Sequence, residues 1–433
     1  METSIFTNDS LSVRDKKYIW HPFTQMQTAF PPIPIARAKG IYLYSEDGKR
    51  YLDGISSWWA NLHGHAHPYI AAKIKEQADR LEHVMFAGFT HAPAVDLASR
   101  LLNFLPEGMS KVFYSDNGST AVEAALKIAL QYWYNKNNNT EKIKIICFKN
   151  SYHGDTFGAM SASGKTTFNQ PFWKHLFQVE QIDPPLKGRE EIALSQLKSI
   201  LIKNESACFI FEPLVLGSGG MIIYPPEGLN KLIKCCKDHD VLTIADEVMT
   251  GFGRTGPLFS CSLLTETPDL ICLSKGLTGG FLPLGATICT ENIFNAFLDD
   301  SLHKAFLHGH TYTANPLACS SALASLDLLL EDTCTEQRKM IQSFHEGFCR
   351  KWNGHPKLKR CEYLGTILAL EYRTDISSYF QPIAQKLFRF FMERGIVLRP
   401  LGNVLYVMPP YCIQADELMH IYHEIALTLE GDL

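Results

Sequence analysis

What this chain lacks narrows it first. No run of 18 uncharged apolar residues occurs in its 433 residues, so nothing in it reads as a membrane-spanning helix. An excess of one charge is missing too. The 41 Lys and Arg against 45 Asp and Glu leave a formal net charge of -4, with no basic footprint for nucleic acid or an anionic membrane. The 12 cysteines include no CxxC pair. Apart from the adjacent Cys235 and Cys236 they stand singly, and they read as reduced, mostly buried thiols of a cytoplasmic protein. Met1 to Lys17 has neither the apolar core of a signal peptide nor the arginine-rich pattern of a transit peptide. A metal centre is not expected either. His63, His65 and His67 alternate, but glycine and proline break the segment and no acidic or cysteine ligands accompany them, so loop hydrogen bonds are expected of them.

What is present centres on two short apolar runs. Residues 241–246 read Val-Leu-Thr-Ile-Ala-Asp and residues 269–275 read Asp-Leu-Ile-Cys-Leu-Ser-Lys. Nearly continuous hydrophobic segments of this length are the pattern of strands buried on both faces of a parallel sheet. Ligands of open α/β sheets bind at the carboxyl ends of the strands, which is where Asp246 and Lys275 are expected. An amine beside an acid suits pyridoxal 5'-phosphate, which needs a lysine for its aldehyde and a carboxylate for its pyridine nitrogen. Taken singly, each residue also has a plainer reading, an aspartate capping a loop and a solvated lysine.

The remaining chain adds partners to that pair. Its length exceeds one compact core. The pattern predicts an N-terminal segment of a small lobe over 1–65, a large domain over 66–330 and a C-terminal small α+β domain over 331–433. Ile41 to Asp53 reads as strand, Asp-Gly turn and strand, a hairpin. Trp58 and Trp59 are either packing or an aromatic wall for an apolar substrate. Residues 69–105 are helical in pattern. Lys111 to Leu130 reads as strand, polar turn and alanine-rich helix, which places Gly118, Ser119 and Thr120 at a helix N-terminus able to grip a phosphate or simply to cap. Tyr152 follows a strand and has the shape to stack on a planar ring, and Asp155 to position an amine. Glu212 closes the apolar run Ala207–Val215 and must be paired or hydrogen-bonded. Gly251-Phe-Gly-Arg-Thr-Gly256 fits GxGxxG, yet Pro257 follows where a helix is needed, so no dinucleotide site is expected there. Thr311 is a second possible phosphate contact. Arg399 ends a predicted strand, where a guanidinium is able to clamp a carboxylate.

Asn117-Gly-Ser, Tyr152-His-Gly-Asp, Asp246-Glu-Val, Ser274-Lys and His310-Thr stand in an order and spacing that resemble the class III aminotransferases, pyridoxal-phosphate enzymes of fold type I. The resemblance runs over nearly the whole chain. It implies an α/β large domain with a mostly parallel central sheet and a smaller α+β lobe built from the N- and C-terminal segments. It further implies that Lys275 bonds the cofactor aldehyde and shuttles the proton, that Asp246 holds the pyridinium proton, and that Val248 and Tyr152 pack the two faces of the ring. Gly118 and Ser119 would hold the phosphate together with Thr311 of a second copy, making a homodimer. Trp58, Trp59, Gly309 and Arg399 would meet the acceptor and Asp155 the amino donor. Trp20-His-Pro-Phe-Thr-Gln-Met, Ser56-Ser-Trp-Trp-Ala-Asn-Leu-His-Gly-His and Arg399-Pro-Leu-Gly resemble the biotin-pathway branch, which implies 8-amino-7-oxononanoate as acceptor. Adenosylmethionine is the usual donor there and some relatives use lysine. Phe23 departs from the tyrosine usual at its position, removing a hydroxyl from the donor pocket. Other ω-amino acid aminotransferases, of ornithine or 4-aminobutyrate type, share the cofactor residues without needing the tryptophan pair, and a non-catalytic member of the fold would keep neither cofactor nor colour.

Overall fold

The computed structural model describes residues 10–137, 141–166, 168–374 and 382–431. The first nine residues of the N-terminal stretch considered above lie outside it, and Leu11–Tyr18 forms a helix that the sequence pattern did not announce. Three strands follow, β1 Ile35–Lys39, β2 Tyr42–Ser45 and β3 Arg50–Asp53, with β2 and β3 forming the expected hairpin. The predicted helical stretch 69–105 is two helices, Pro68–Ala78 and Ala92–Phe104. A proline occupies the first turn of each, where its missing N–H costs no helical bond.

The middle of the chain supplies the large sheet: β4 Met109–Ser115, β5 Lys144–Phe148, β6 Val179–Ile182, β7 Ser206–Phe211, β10 Leu242–Asp246, β11 Leu270–Leu273 and β12 Gly285–Thr290. A short hairpin, β8 Val215–Leu216 with β9 Ile222–Ile223, stands beside it. The strand order is β4-β12-β11-β10-β7-β5-β6. Only β12 runs against its neighbours, so the other six strands point the same way. Every residue of β7, β10 and β11 is buried, as the uninterrupted apolar runs require when helices cover both faces. The twenty-residue helix Gly118–Asn137 lies against β4, β7, β11 and β12, and Pro316–Leu329 packs on the two earlier helices.

The C-terminal part carries β13 Leu358–Leu364, β14 Ile367–Tyr372, β15 Ile396–Val397 and β16 Val404–Val407. β13 went unpredicted, because Lys359, Arg360 and Glu362 leave it neither a continuous apolar run nor a strict alternation. β15 pairs in parallel with β3, so the N-terminal hairpin and the C-terminal segment share one four-stranded sheet. Three expected strand boundaries shift inward. β11 ends two residues before Lys275, β7 ends just before Glu212, and β15 ends two residues before Arg399. In each case the polar side chain sits in the loop that follows, not in the ladder. Among the described residues no helix is long and apolar enough to cross a membrane.

Candidate active site

The six codirectional strands end at one edge, and the loops leaving five of them enclose a cavity of about 490 Å³, within the range of small-molecule sites. β4 leads to Asn117, Gly118 and Ser119, β5 to Tyr152 and His153, β7 to Glu212, β10 to Asp246 and Val248, and β11 to Lys275, all of which line it together with Trp59.

Lys275 opens a single 3-10 turn and holds a left-handed backbone, φ 46°. A lysine seldom adopts that conformation, and such strain concentrates at functional sites. Its side chain reaches the cavity, with Nζ 4.4 Å from the centroid of the Trp59 ring. Desolvation lowers its pKa to about 8, against the opposing pull of Asp246 and Glu212. The amine is therefore partly unprotonated near neutral pH. Asp246 is buried at the last position of β10. Its Oδ2 accepts from Nδ1 of His153 at 2.7 Å and its Oδ1 from the Val248 N–H at 3.0 Å. Glu212 accepts from the N–H groups of Tyr152, at 3.0 Å, and Gly217, at 2.9 Å, which is the hydrogen bonding its burial demanded. Burial first, and then the neighbouring Asp246, push its pKa up to about 7.

The helix Gly118–Asn137 aims its N-terminus at the cavity. Asn117 Oδ1 takes the Thr120 N–H at 3.1 Å, leaving the first N–H groups of the helix for another acceptor. Of the expected trio, Gly118 and Ser119 line the cavity, whereas Thr120 turns its hydroxyl back to the chain and accepts from the N–H groups of Asp116 and Asn117. A Cβ on Gly118 would lie 2.7 Å from Val248 Cγ1, and one on Gly154 2.1 Å from Ser119 Oγ, so these glycines keep the cradle open.

A second cluster, of Phe23, Trp58 and Arg399, adjoins Trp59 in sequence but does not line the cavity. The Arg399 guanidinium lies 4.7 Å over the Trp58 ring, and Phe23 meets that ring edge-on at 5.4 Å. Arg399 also donates to the Phe23 carbonyl at 3.5 Å. Trp58 and Trp59 leave a left-handed turn in which Ser56, Ser57, Trp58 and Trp59 have φ of 52°, 45°, 74° and 75°. This directs Trp59 into the cavity, while Trp58 remains 38% exposed and outside the lining. Ser56 Oγ bonds the Met408 carbonyl, Ser57 Oγ bonds Asp53, and the buried Arg254 donates to the carbonyls of Trp59, Asn61 and Pro409. Asp155 is exposed beyond Tyr152, whose hydroxyl it hydrogen-bonds. Gly309 and Thr311 are exposed and do not line the cavity of their own chain.

Sequence reasoning missed His153, Arg254 and the left-handed turn. His153 stands inside the Tyr152-His-Gly-Asp motif, so its position was available, but nothing in sequence says that its ring reaches across to β10. Arg254 lies in the discarded glycine motif, which is a run of turns, as expected. His65 bonds Asp53 at 2.9 Å and His63 bonds Ser325 at 3.0 Å, in keeping with loop roles.

Residues 23–429 match the family model of the class III aminotransferases. The chain is 46% identical over 421 residues, 95% of its length and 98% of the relative's, to an adenosylmethionine-8-amino-7-oxononanoate aminotransferase of Synechococcus elongatus. The crystal structure of the protein of that name from Methanocaldococcus jannaschii superposes with a TM-score of 0.92 at 37% identity, covering 98% of this chain and 99% of that one. An amine transaminase from an uncultivated Pseudomonas species, solved in its PLP-bound form, gives 0.88 at 30% identity, covering 95% and 98%. The cavity fits that cofactor. It offers an enclosed amine, a buried carboxylate braced by a histidine, and free helix N–H groups beside a glycine cradle. Its donor set and the family match lead to one conclusion: the chain belongs to the class III aminotransferases and is an enzyme that works with pyridoxal phosphate.

Proposed function

We propose that this enzyme transfers an amino group from adenosylmethionine to 8-amino-7-oxononanoate, giving 7,8-diaminononanoate in biotin biosynthesis, and that it acts as a cytoplasmic homodimer. The observation that carries the reading is the Arg399–Trp58 pair next to Trp59. A guanidinium stacked on a tryptophan, one step from a second tryptophan over the reactive amine, suits an acceptor with a long apolar chain ending in a carboxylate. The names of the relatives support the same substrates.

When bound, pyridoxal phosphate supplies an aldehyde that takes up the amino group and a ring that accepts the electrons of the bond being broken. The protein does the rest. Lys275 removes the proton from the donor's α-carbon and returns one to the acceptor's C7, a role open to an amine whose pKa is about 8. Asp246 keeps a proton on the ring nitrogen, and the bond from His153 holds its carboxylate in place. Gly118 and Ser119 hold the phosphate through the helix N-terminus. Val248 and Tyr152 close the two ring faces, and Trp59 shuts water out beside the amine. Arg399 takes the acceptor carboxylate between Trp58 and Phe23, and Asp155 faces the donor amine. Gly309 and Thr311, with the exposed Leu302, Leu307 and Tyr312 around them, suit contact with a second copy, whose cavity they would complete.

Following diaminononanoate formation with adenosylmethionine against lysine tests this directly. Turnover with adenosylmethionine is the expected result. Failure with both donors, alongside turnover of ornithine or 4-aminobutyrate, would assign the enzyme to another branch of the family. Arg399→Ala is expected to raise KM for the oxononanoate about 10-fold or more while leaving the donor nearly untouched.

A further inference from the structure

Glu212 is the one buried carboxylate at the cavity that the proposed reaction does not use. It follows β7, is 5% exposed, and forms no ion pair among the described residues. Its two oxygens are divided between two loops. Oε1 accepts the Tyr152 N–H and Oε2 accepts the Gly217 N–H, while its main-chain carbonyl takes the Tyr224 hydroxyl. Placing an unpaired carboxylate inside a sheet edge is costly, yet a neutral amide there has only one oxygen to accept the two N–H groups. The charge needs its own explanation.

We propose that Glu212 is a positioning residue, whose ionised carboxylate pins the Tyr152 peptide to the end of β7 and so sets the tyrosine ring over the cofactor, with a grip that depends on pH. An ionised carboxylate accepts both N–H groups. A protonated one keeps a single free acceptor and presents its O–H to the other N–H, so one anchor is lost. The groups facing it are Tyr152 and His153 from the loop after β5, Asp246 from β10 and Lys275 after β11, while the β8–β9 hairpin presents the Gly217 backbone and, just beyond it, the Tyr224 hydroxyl. His153 favours the ionised form; burial and Asp246 oppose it, bringing the titration to about pH 7. Protonation of Glu212 therefore loosens the wall on which the ring stacks, and it also withdraws part of the pull that keeps Lys275 protonated.

The inference rests on Tyr152 stacking on the cofactor but not on the identity of the substrates, so it is tested by binding. Apoprotein is titrated with pyridoxal phosphate by tryptophan fluorescence at about pH 8.5 and about pH 6, either side of the Glu212 transition. Glu212→Gln mimics the protonated form permanently. It is expected to bind about 10- to 100-fold more weakly than wild type at the higher pH and within about threefold at the lower. A deficit equal at both pH values, or none, overturns the proposal, since a merely structural role would not titrate. Hydrogen exchange of the wild-type peptide containing Tyr152, corrected for intrinsic rates, keeps the proposal testable if the variant does not fold. Stronger protection at the higher pH is expected, and equal protection overturns it. Tyr152→Ala separates the two ideas. Wild-type affinity in that variant removes the stacking role, whereas weak binding there with normal binding in Glu212→Gln removes only the inference about Glu212.

Discussion

At the scale of single residues, the chemistry depends on a few side chains kept away from water. Lys275 is the clearest. Its amine is enclosed, its backbone is held left-handed, and its pKa falls to about 8. Lys275→Ala is expected to fold, to release pyridoxal phosphate that borohydride no longer traps on the chain, and to slow transfer about a hundred- to ten-thousandfold, the usual worth of a positioned base. Trapping at an unchanged level, read by mass spectrometry of the peptide, would place the reactive amine elsewhere. Lys275 and Asp246 were legible because a charged residue closing an apolar run is conspicuous. His153 was not. Its bond to Asp246 joins residues 93 apart in sequence, and no local pattern encodes a reach of that kind.

At the scale of elements, the decisive feature is where strands stop. The loops after β4, β5, β7, β10 and β11 converge because those strands run the same way. The helix Gly118–Asn137 then presents its N-terminus to the same space. Gly118→Ala would push a methyl to within 2.7 Å of Val248, shifting either the helix start or the residue that packs the ring. Cofactor affinity is expected to fall about 10-fold or more with the far-ultraviolet circular dichroism unchanged, as overpacking costs about 1–3 kcal/mol. Equal affinity would show that Val248 yields freely. The alanine-rich pattern announced this helix and the hairpin signal announced β2 and β3. The left-handed turn at 56–59 could not be foreseen. Ser-Ser-Trp-Trp has no preference for positive φ, and the turn is held by the nearby Asp53 and by Met408 and Arg254, which are distant in sequence.

At the scale of the whole molecule, stability is tied to groups buried far from the cavity. His345, on the helix Asp332–Trp352, meets the Thr366 carbonyl at 3.1 Å and the Tyr422 hydroxyl at 2.6 Å, joining that helix to β14 and the C-terminal helix. Burial lowers its pKa from 6.5 to about 4. Above pH 6.5 the ring is neutral both folded and unfolded, and its full contribution is present. As pH falls towards 4, the unfolded chain takes up a proton that the fold refuses, and stability drops. His345→Gln keeps hydrogen-bonding capacity without the titration. Between about pH 6.5 and 4.5 its unfolding free energy, measured in urea, is expected to fall less steeply than wild type by about 1.4 kcal/mol per pH unit. Parallel curves would show that the ring already titrates freely in the fold.

Composition and local pattern by themselves determined the α/β class, the buried strands, the helix whose N-terminus faces the cavity, and the acid and amine of opposite charge at its strand ends. Each is written in hydrophobic period or in a polar residue at the end of an apolar run, and needs no partner to be read. Tertiary structure alone decided that His153 braces Asp246, that Glu212 holds the Tyr152 peptide, that Arg254 fixes the tryptophan turn, and that Arg399 meets Trp58 and Phe23. These contacts join segments brought together only by the order of strands in the sheet and by the shared sheet of β3 and β15. Their energies depend on the burial that this packing creates.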